Sequence, residues 1–504
     1  MQNLLTSQQT READAHTISS KPISSIDLME AASIAFVKEF QKEVTDKYIP
    51  ISIYCGTGNN GGDGLAVARL LYADDYKNIS VKISRFSNKA TKDFDVNRER
   101  LKLTNIHITD LSDTTPFPEE NAEVLIDALL GSGFNKPVEG KLKELIDHIN
   151  SLHKKVISID VPSGFPSEGD ISSDATTIKA SLVISFQRPK INFFFPESAR
   201  SLNSFKVVPI GLDEEYIQSL PSHWKLLEEN DIKVYLRPRE RFSHKGTFGH
   251  ALIVAGNNGT MGAALLCADA CLHSGAGLTS VCIPESGYSA LNTRSPEIMT
   301  IDRNTLIPNG MLAKFSSIAI GPGLGAGDNT LDVLRNILNG YNRPIVLDAD
   351  ALNMLSAKPE LLNNLPGMSI ITPHVKEFDR MFGEYTSWWE RIENAREKAA
   401  ELNIIILLKN QYSFIVLPDG NVMINPTGNP AMAVGGMGDV LTGMIAGFLA
   451  QGYSPQEAAI IACFIHGKAG DELSAEGMNS IPPRYIIERL PFVIKGLGSS
   501  LRSE

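Results

Sequence analysis

The hydrophobic positions of the chain follow two patterns, one typical of helices and one of buried strands. Residues 24–44 place apolar side chains at helical spacing, and 48–55 form an apolar run typical of a buried parallel strand. The alternation of strand and helix predicts an α/β domain with a parallel sheet. Further strands of this first sheet are predicted at 80–86, 123–127, 155–160, 181–186 and 205–210.

The same alternation returns in the second half of the chain. Between the halves, 213–241 is rich in charge and prolines and has few apolar repeats. We therefore predict one domain over 1–214, a linker over 215–239 and a second α/β domain over 240–504. Strands of the second domain are predicted at 251–255, 278–283, 316–320, 344–347, 369–371 and 404–408.

Composition narrows the class of protein. The 504 residues are 43% hydrophobic and 21% charged, which is ordinary for globular domains. The net charge of −11 argues against nucleic acid as a partner, because a phosphate backbone requires a basic surface. The five cysteines form no CxxC pair, and no apolar run is long enough for a membrane span. With no signal peptide at the start of the sequence, we expect a cytoplasmic protein that does not bind membranes.

A glycine-rich loop follows the first predicted strand. Gly56, Gly58 and Gly61 satisfy the spacing of a dinucleotide-binding fingerprint, which is a weak signal alone. The strand at 80–86 lacks the acidic residue that would hold a ribose. The loop also carries Asn59, Asn60 and Asp63, which a plain phosphate loop does not need, although a tight turn would equally explain an Asn-Asn-Gly-Gly run.

Polar side chains also follow two other strands of the first sheet. Because the carboxyl ends of parallel strands share one edge, where ligands bind, these side chains are expected to converge. Helix capping could explain any single acid among them, but three acids at this edge predict a site. Their oxygens could also bind a cation. The converging set is Asn60, Asp63, Asp127, Asp160 and Ser163.

The richest glycine stretch, 425–443, contains Asp439 and leads directly into an apolar helical pattern. Backbone N–H groups of such loops and the positive end of a helix hold anions. A bound phosphate would repel Asp439, so this carboxylate is either a helix cap or a base that takes a proton from a neighbouring group. We favour a phosphoryl-transfer site with Asp439 as its base. Lys409 is expected to contact phosphate, and His374 is either structural or points into the same crevice.

The motifs Gly58–Gly64, Ile126–Gly133 and Ile159–Gly164 resemble those of the epimerase domain of NAD(P)H-hydrate repair enzymes, which has a Rossmann-like parallel sheet. The resemblance covers about residues 1–214. It implies a potassium site at Asn60, Asp127 and Ser163. It also implies contacts with the hydrated nicotinamide nucleotide from Asn59, Asn60, Gly61, Gly62, Asp63, Gly131, Ser132, Gly133, Phe134, Asn135, Lys136, Pro137 and Asp160.

The second half resembles the dehydratase domain of the same enzymes, which has a ribokinase-like fold. The resemblance rests on His244–Gly246, Ile320–Gly325, Val346–Ala351, Thr372–His374 and Gly435–Asp439. It implies that Ala263, Gly323, His374 and Asp439 contact the hydrated nucleotide. It also implies adenine-nucleotide contacts from Lys409, Asn410, Gln411, Tyr412, Ser413 and Gly438. The chain departs from the family pattern at Asn410, Ser413, Ala431 and Met437, which concerns the contacts to the phosphoryl donor.

The resemblance implies an enzyme that interconverts the R and S forms of hydrated NADH and NADPH and dehydrates the S form. We expect Asp127 to act as acid–base group in the first domain as well as in the potassium site, and Asp439 as base in the second. The expected donor is ADP rather than ATP, with Mg²⁺ assisting, and the expected assembly is a homo-oligomer. The alternatives are a ribokinase-like small-molecule kinase with a dinucleotide-sensing first domain, and a binding protein whose loops are vestigial.

Overall fold

The computed structural model describes residues 1–499 except 87–88, 115, 134–135, 304–309 and 326. The chain forms two compact units. The N-terminal unit comprises Asn3–Ser222 with Ser387–Trp389, and the C-terminal unit comprises Met1–Gln2, His223–Thr386 and the described part of Glu390–Glu504. The change of unit after Ser222 falls within the predicted linker, 215–239.

The first part of the chain alternates strands and helices as the hydrophobic pattern predicts. Helices α1, α4 and α6 and strands β1 and β4 were not predicted. The elements are β1 (Gln2–Asn3), α1 (Ser7–Ser20), α2 (Ser25–Glu43), β2 (Ile51–Cys55), α3 (Asn59–Ala73), β3 (Ile79–Ser84), α4 (Lys92–Leu101), β4 (His107–Leu111), β5 (Val124–Ala128), α5 (Gly140–Ser151), β6 (Lys155–Ile159), β7 (Leu182–Phe186), β8 (Phe205–Val208) and α6 (Glu214–Ser219).

The sheet of the N-terminal unit has the strand order β4-β3-β2-β5-β6-β7-β8, and every neighbouring pair is parallel. Strand β2 pairs with β3 on one side and with β5 on the other, so the sheet grows in opposite directions from this point. In open parallel sheets such a switch point leaves a crevice at the carboxyl ends of the strands. The predicted parallel α/β fold is confirmed, and the fold places the first glycine loop at the crevice.

The second part of the chain is longer and carries more helices. Its elements are β9 (Trp224–Leu226), α7 (Glu229–Tyr235), β10 (His250–Val254), α8 (Met261–His273), β11 (Leu278–Ile283), α9 (Tyr288–Arg294), β12 (Met299–Asp302), β13 (Ser317–Ile320), α10 (Asp328–Gly340), β14 (Ile345–Leu347), α11 (Asp350–Ala357), β15 (Ile370–Ile371), α12 (Val375–Phe382), α13 (Trp388–Leu402), β16 (Ile405–Leu408), β17 (Ser413–Val416), β18 (Val422–Asn425), α14 (Met437–Ala450), α15 (Pro455–Ala475) and α16 (Pro483–Ser499).

The second sheet has the strand order β1-β9-β18-β17-β16-β15-β14-β13-β10-β11-β12. Strands β10 to β16 pair in parallel, and β17 runs antiparallel to both of its neighbours. Strand β10 lies between β11 and β13, which is a second switch point. The α/β class predicted for this half is therefore confirmed as well. In the part of the chain that the structure describes, no helix is both long and apolar enough to cross a membrane.

Helix α14, which follows the richest glycine stretch, is almost entirely buried and packs against α8. Gly443 makes this close packing possible, because a Cβ atom at this position would lie 2.0 Å from the carbonyl oxygen of Cys267. The helix begins at Met437 after Gly436, whose φ of 94° is left-handed. The tight turn and the packed helix together fix the position of Asp439.

Candidate active sites

A cavity of about 1100 Å³ lies in the N-terminal unit at the carboxyl ends of its strands. Its wall includes the loop from Gly56 to Asn60, the loop from Leu129 to Gly133, and Asp160 at the end of β6. These segments belong to the strands on either side of the switch point and to the next strand. The cavity therefore occupies the place where open parallel sheets bind ligands.

Two glycines of the first loop leave no room for a side chain. A Cβ atom on Gly56 would lie 2.0 Å from the carbonyl oxygen of Leu129, and one on Gly61 would lie 1.9 Å from the carbonyl oxygen of Gly56. Gly56 thus lets the two loops of the switch point approach closely, and Gly61 lets the first loop fold tightly on itself. Gly61 and Gly62 are buried in the first turn of α3, while Asn59, Asn60 and Asp63 face the cavity.

Asp127 lies beneath the cavity and is only 2% exposed. One of its carboxylate oxygens accepts hydrogen bonds from Ser158 Oγ (2.7 Å) and the Ser163 amide (2.8 Å). The other accepts from Ser163 Oγ and from the Leu129 amide. Burial raises the pKa of Asp127, and these hydrogen bonds oppose the rise. Among the described residues, neither Asp127 nor Ser163 belongs to the cavity wall.

Asn60 has a free acceptor next to this buried cluster. Its amide nitrogen donates to the Leu130 carbonyl oxygen (2.7 Å), whereas its buried Oδ1 has no hydrogen-bond partner among the described residues. A buried carbonyl oxygen without a hydrogen-bond partner costs free energy unless a cation or a hydrogen-bond donor binds to it. With Asp127 and Ser163 nearby in the hydrogen-bond network, the residues present fit a weakly hydrated cation such as potassium.

Acidic and basic groups also meet in the wall of the cavity. Lys190 Nζ lies 2.6 Å from Asp160 Oδ1, and the same carboxylate accepts a hydrogen bond from the Phe186 amide (3.1 Å). Burial, followed by the charge of Asp160, raises the pKa of Asp14 to about 6, against a lowering by Lys190. The pKa of Asp63 is raised well above its ordinary value by burial, Asp160 and Asp14, in that order.

The remaining residues predicted for this site fall into three groups. Gly131, Ser132 and Gly133 line the cavity. Lys136 and Pro137 are exposed and are not part of its described wall. Phe134 and Asn135 lie outside the described residues.

In the C-terminal unit, loops from several strands meet at the second switch point. Thr260 Oγ1 donates a hydrogen bond to the Gly323 carbonyl oxygen (2.6 Å), and a Cβ atom on Gly323 would lie 2.9 Å from the Cβ of Ala263. The structure therefore brings Ala263 and Gly323 into contact, as predicted for a shared ligand. The Gly325 amide donates to Asp350 (2.7 Å), which ties the loop after β13 to the start of α11.

Asp439 lies in the first turn of α14, next to Gly438. Burial and then the charge of Asp348 raise the pKa of Asp439, while Lys409 lowers it, and the result is a pKa of about 6. A carboxylate with this pKa is still largely ionised at neutral pH and is a stronger base than an ordinary aspartate. This is the tuning that general-base catalysis needs.

Lys409 is paired with Asp348, a contact that was not predicted. Lys409 Nζ lies 2.7 Å from Asp348 Oδ1, and Thr442 Oγ1 donates to the other carboxylate oxygen (2.8 Å). Burial disfavours the ionised form of Asp348, but Lys409 and these hydrogen bonds outweigh it and lower the pKa. A Cβ atom on Gly438 would lie 3.3 Å from Lys409 Nζ. The ammonium group is therefore held at the start of α14, where anions bind.

His374 caps helix α12. Its Nδ1 accepts a hydrogen bond from the Glu377 amide (3.3 Å), and Glu377 accepts one from the His374 amide (2.9 Å). The imidazole is half-exposed, and the residue forms a β-bridge with Lys409. His374 therefore has the structural role of a helix cap and lies next to Lys409, and its contact with a ligand stays a prediction. Asn410, Gln411 and Tyr412 form the turn between β16 and β17, and Ser413 begins β17.

The sequence patterns did not predict some of the charged groups at the two sites. Lys190 follows strand β7 in an Arg-Pro-Lys run, and its place after a strand end was an available signal. Asp348 also follows a strand end, but its pairing with Lys409 depends on strand order. Arg11 and Asp14 reach the cavity from α1, and no local motif marks them.

The folds and sites define a two-unit α/β protein with a Rossmann-like sheet and a kinase-like glycine loop that ends in a tuned carboxylate. Residues 25–192 match the family of YjeF-related protein N-termini, and 251–492 match NAD(P)H-hydrate dehydratase. The chain is 33% identical to the bifunctional NAD(P)H-hydrate repair enzyme Nnr of Moorella thermoacetica over 98% of this chain and 97% of the relative. The chain belongs to the family of bifunctional NAD(P)H-hydrate repair enzymes.

Solved structures resemble the C-terminal half. A ribokinase-like superfamily protein of Enterococcus faecalis is 28% identical, covers 55% of this chain and 98% of its own, and has a TM-score of 0.50. The ADP/ATP-dependent NAD(P)H-hydrate dehydratase of Bacillus subtilis, crystallised with ATP and Mg²⁺, is 32% identical with a TM-score of 0.50, and the match covers 54% of this chain and 98% of its own. These matches confirm the ribokinase-like fold predicted for the second half.

Proposed function

We propose that this chain repairs hydrated NADH and NADPH in two steps, one in each unit. The epimerase domain, proposed to span 1–214, interconverts the R and S forms. The dehydratase domain, proposed to span 240–504 after a linker at 215–239, dehydrates the S form with conversion of ADP to AMP and phosphate. The observation that carries the proposal is the placement of Asp439, whose pKa is raised to about 6, in the first turn of α14 after a glycine-rich loop, with the Lys409 ammonium beside the neighbouring Gly438.

Dehydration needs an activated leaving group, because hydroxide leaves poorly. Asp439 takes the proton of the hydroxyl on the carbon next to the ring nitrogen, and the oxygen attacks the terminal phosphorus of ADP, releasing AMP. The ring nitrogen then donates its lone pair as phosphate leaves, and loss of a ring proton restores NAD(P)H. Gly438 N–H and the start of α14 stabilise phosphoryl charge. Lys409, held by Asp348, supplies a fixed positive charge, and Mg²⁺ adds charge neutralisation.

The substrate contacts follow the sets predicted from sequence. In the N-terminal cavity they are Asn59–Asp63, Gly131–Pro137 and Asp160, with potassium held by Asn60, Asp127 and Ser163. In the C-terminal site the hydrated nucleotide contacts Ala263, Gly323, His374 and Asp439, and the adenine nucleotide contacts Lys409–Ser413 and Gly438. The orphaned Asn60 Oδ1 supports the cation, and the Lys409 ammonium beside Gly438 supports the phosphate.

We also infer where the protein acts and how it assembles. All five cysteines are free and buried, which supports a cytoplasmic, reducing environment. We also propose a homo-oligomer.

The test supplies purified S-form hydrated NADH with ADP or ATP and measures reduced nicotinamide and nucleotide products together. The proposal predicts one NADH and one AMP per ADP consumed, with a clear preference for ADP. Efficient turnover with ATP alone would overturn the donor assignment. A stable phosphorylated product without recovered NADH would identify a small-molecule kinase instead.

A further inference from the structure

Two half-buried carboxyl groups face the N-terminal cavity from different helices. Asp14 lies on α1 and Asp63 on the first turns of α3, and both belong to the cavity wall. Within the described residues, neither carboxyl group accepts a hydrogen bond. Helix α1 precedes the residues 25–192 that match the family, so Asp14 belongs to a part of the chain outside that match.

The other acids near the cavity are engaged or remote. Asp127 lies beneath the wall, and four hydrogen bonds occupy its oxygens. Asp160 is ion-paired with Lys190 and also accepts a hydrogen bond from a backbone amide. Asp113 and Glu139 are exposed, where water competes for protons. In the described wall, Asp14 and Asp63 therefore remain as the sheltered carboxyls that are free to exchange protons with a ligand.

Their electrostatic setting favours the protonated form of each carboxyl. Burial and then the charge of Asp160 raise the pKa of Asp14 to about 6, against a lowering by Lys190, and burial, Asp160 and Asp14 raise the pKa of Asp63. Both carboxyls therefore hold a proton more readily than an ordinary aspartate, as an acid–base group needs. The charged groups that act on the pair are Asp93, Asp160 and Lys190. The other charged residues of the described cavity wall are Arg11, Lys89, Asp113, Glu139, Lys141 and Arg188.

We propose that Asp14 and Asp63 are the acid–base pair of the epimerase, an inference that rests on the function proposed above. The protonated carboxyl gives its proton to the hydroxyl of the hydrated ring, the carbon–oxygen bond breaks, and the ring nitrogen lone pair forms the carbon–nitrogen double bond. The released molecule is water. A water then adds to the same carbon from the opposite face, and the ionised carboxylate takes its extra proton. Atoms, electrons and charge balance, and the pair is regenerated with its proton exchanged.

Two groups on different helices suit this chemistry because inversion needs proton transfer on both faces of the ring. A single carboxyl group would have to transfer protons on both faces. In this account Asp127, whose oxygens accept four hydrogen bonds, organises the loop and the cation, and the acid–base role expected for it from the sequence passes to Asp14 and Asp63.

The test compares Asp14→Asn and Asp63→Asn with Glu12→Gln. Glu12 lies on the same helix, but its carboxylate accepts from Gln8 (2.9 Å) and is not in the described cavity wall. Pure R-form hydrated NADH is incubated with each full-length protein without ADP, and appearance of the S form is followed above the spontaneous rate. Binding of the R form is measured separately.

Each Asp→Asn variant is expected to lose on the order of 10²–10⁴ in kcat, the size of a lost general acid or base, with binding nearly unchanged. Glu12→Gln is expected to match wild type. Because Asp14 and Asp63 lie in the N-terminal unit, retained binding of the R form is the check that this unit of each variant is folded. Dehydration of the pure S form with ADP checks only the C-terminal unit. If Asp14→Asn retains epimerisation within a few-fold of wild type, the pair is overturned. If wild type itself does not exceed the spontaneous rate, the proposed epimerase function fails rather than the assignment of the pair.

Discussion

Lys409 Nζ lies 2.7 Å from Asp348 Oδ1, and this pair lies directly against the first turn of α14. The Asp348 carboxylate has two effects on the site. It fixes the ammonium group where phosphate is proposed to bind, and its charge raises the pKa of Asp439. One buried carboxylate therefore sets both the position of the cation and the strength of the base.

Asp348→Asn is expected to change the pH dependence of dehydration. Asp439 is active when ionised, so the wild-type rate falls as pH drops through about 6. Removing the charge of Asp348 lowers the pKa of Asp439, so the acidic limb of kcat/KM moves to lower pH. The rate at neutral pH falls, on the order of 10²-fold, because Lys409 loses its position. Asp332→Asn, at an exposed ion pair, is the control. An unshifted acidic limb would contradict the coupling.

Asp439→Asn is expected to remove dehydration while epimerisation continues. The two reactions are assigned to different units, and loss of a general base costs on the order of 10²–10⁴ in rate. The measurement follows NADH from the S form with ADP, and R–S exchange without ADP, on the same preparation. Dehydration within a few-fold of wild type would remove Asp439 from the mechanism.

Asp127→Ala is expected to abolish conversion of the R form, because the carboxylate organises Ser163 and the cation site next to Asn60. The S form is still dehydrated by the C-terminal unit. With mixed forms and excess ADP, the reaction stops when the S form is consumed, apart from slow spontaneous exchange. Wild type should also lose R–S exchange when potassium is replaced by a bulky organic cation. If the variant converts the whole mixture at the wild-type rate, Asp127 is dispensable for R–S exchange.

Gly443→Ala is expected to destabilise the C-terminal unit by about 1–3 kcal/mol, the usual cost of overpacking. The new methyl group would lie 2.0 Å from the Cys267 carbonyl oxygen and force α14 away from α8. Gly496→Ala in α16 is the matched control, since a Cβ atom there would meet no described atom within 4 Å. Thermal unfolding should show a lower Tm for the first variant and an unchanged or higher Tm for the second. Equal Tm values would mean that the helices adjust freely.

Sequence reasoning succeeded where strand periodicity and sheet geometry determine the outcome. Asn60, Asp63 and Asp160 line one cavity because each lies shortly after the carboxyl end of a parallel strand. It failed where a contact depends on the order of strands in the sheet, as for Asp348 after β14 and Lys409 after β16, which lie on either side of β15. Asp14 was invisible for another reason: it lies on a mostly polar helix without a motif, and only the packed chain brings it to the cavity.

The most direct test of the whole account is the extent of reaction with an equal mixture of R and S hydrated NADH, excess ADP and potassium. The account predicts that wild type converts the entire mixture to NADH with one AMP per NADH, whereas Asp14→Asn halts near half conversion before slow spontaneous exchange continues. A wild-type reaction that stops at half conversion, or that consumes ADP without yielding NADH, would contradict the account.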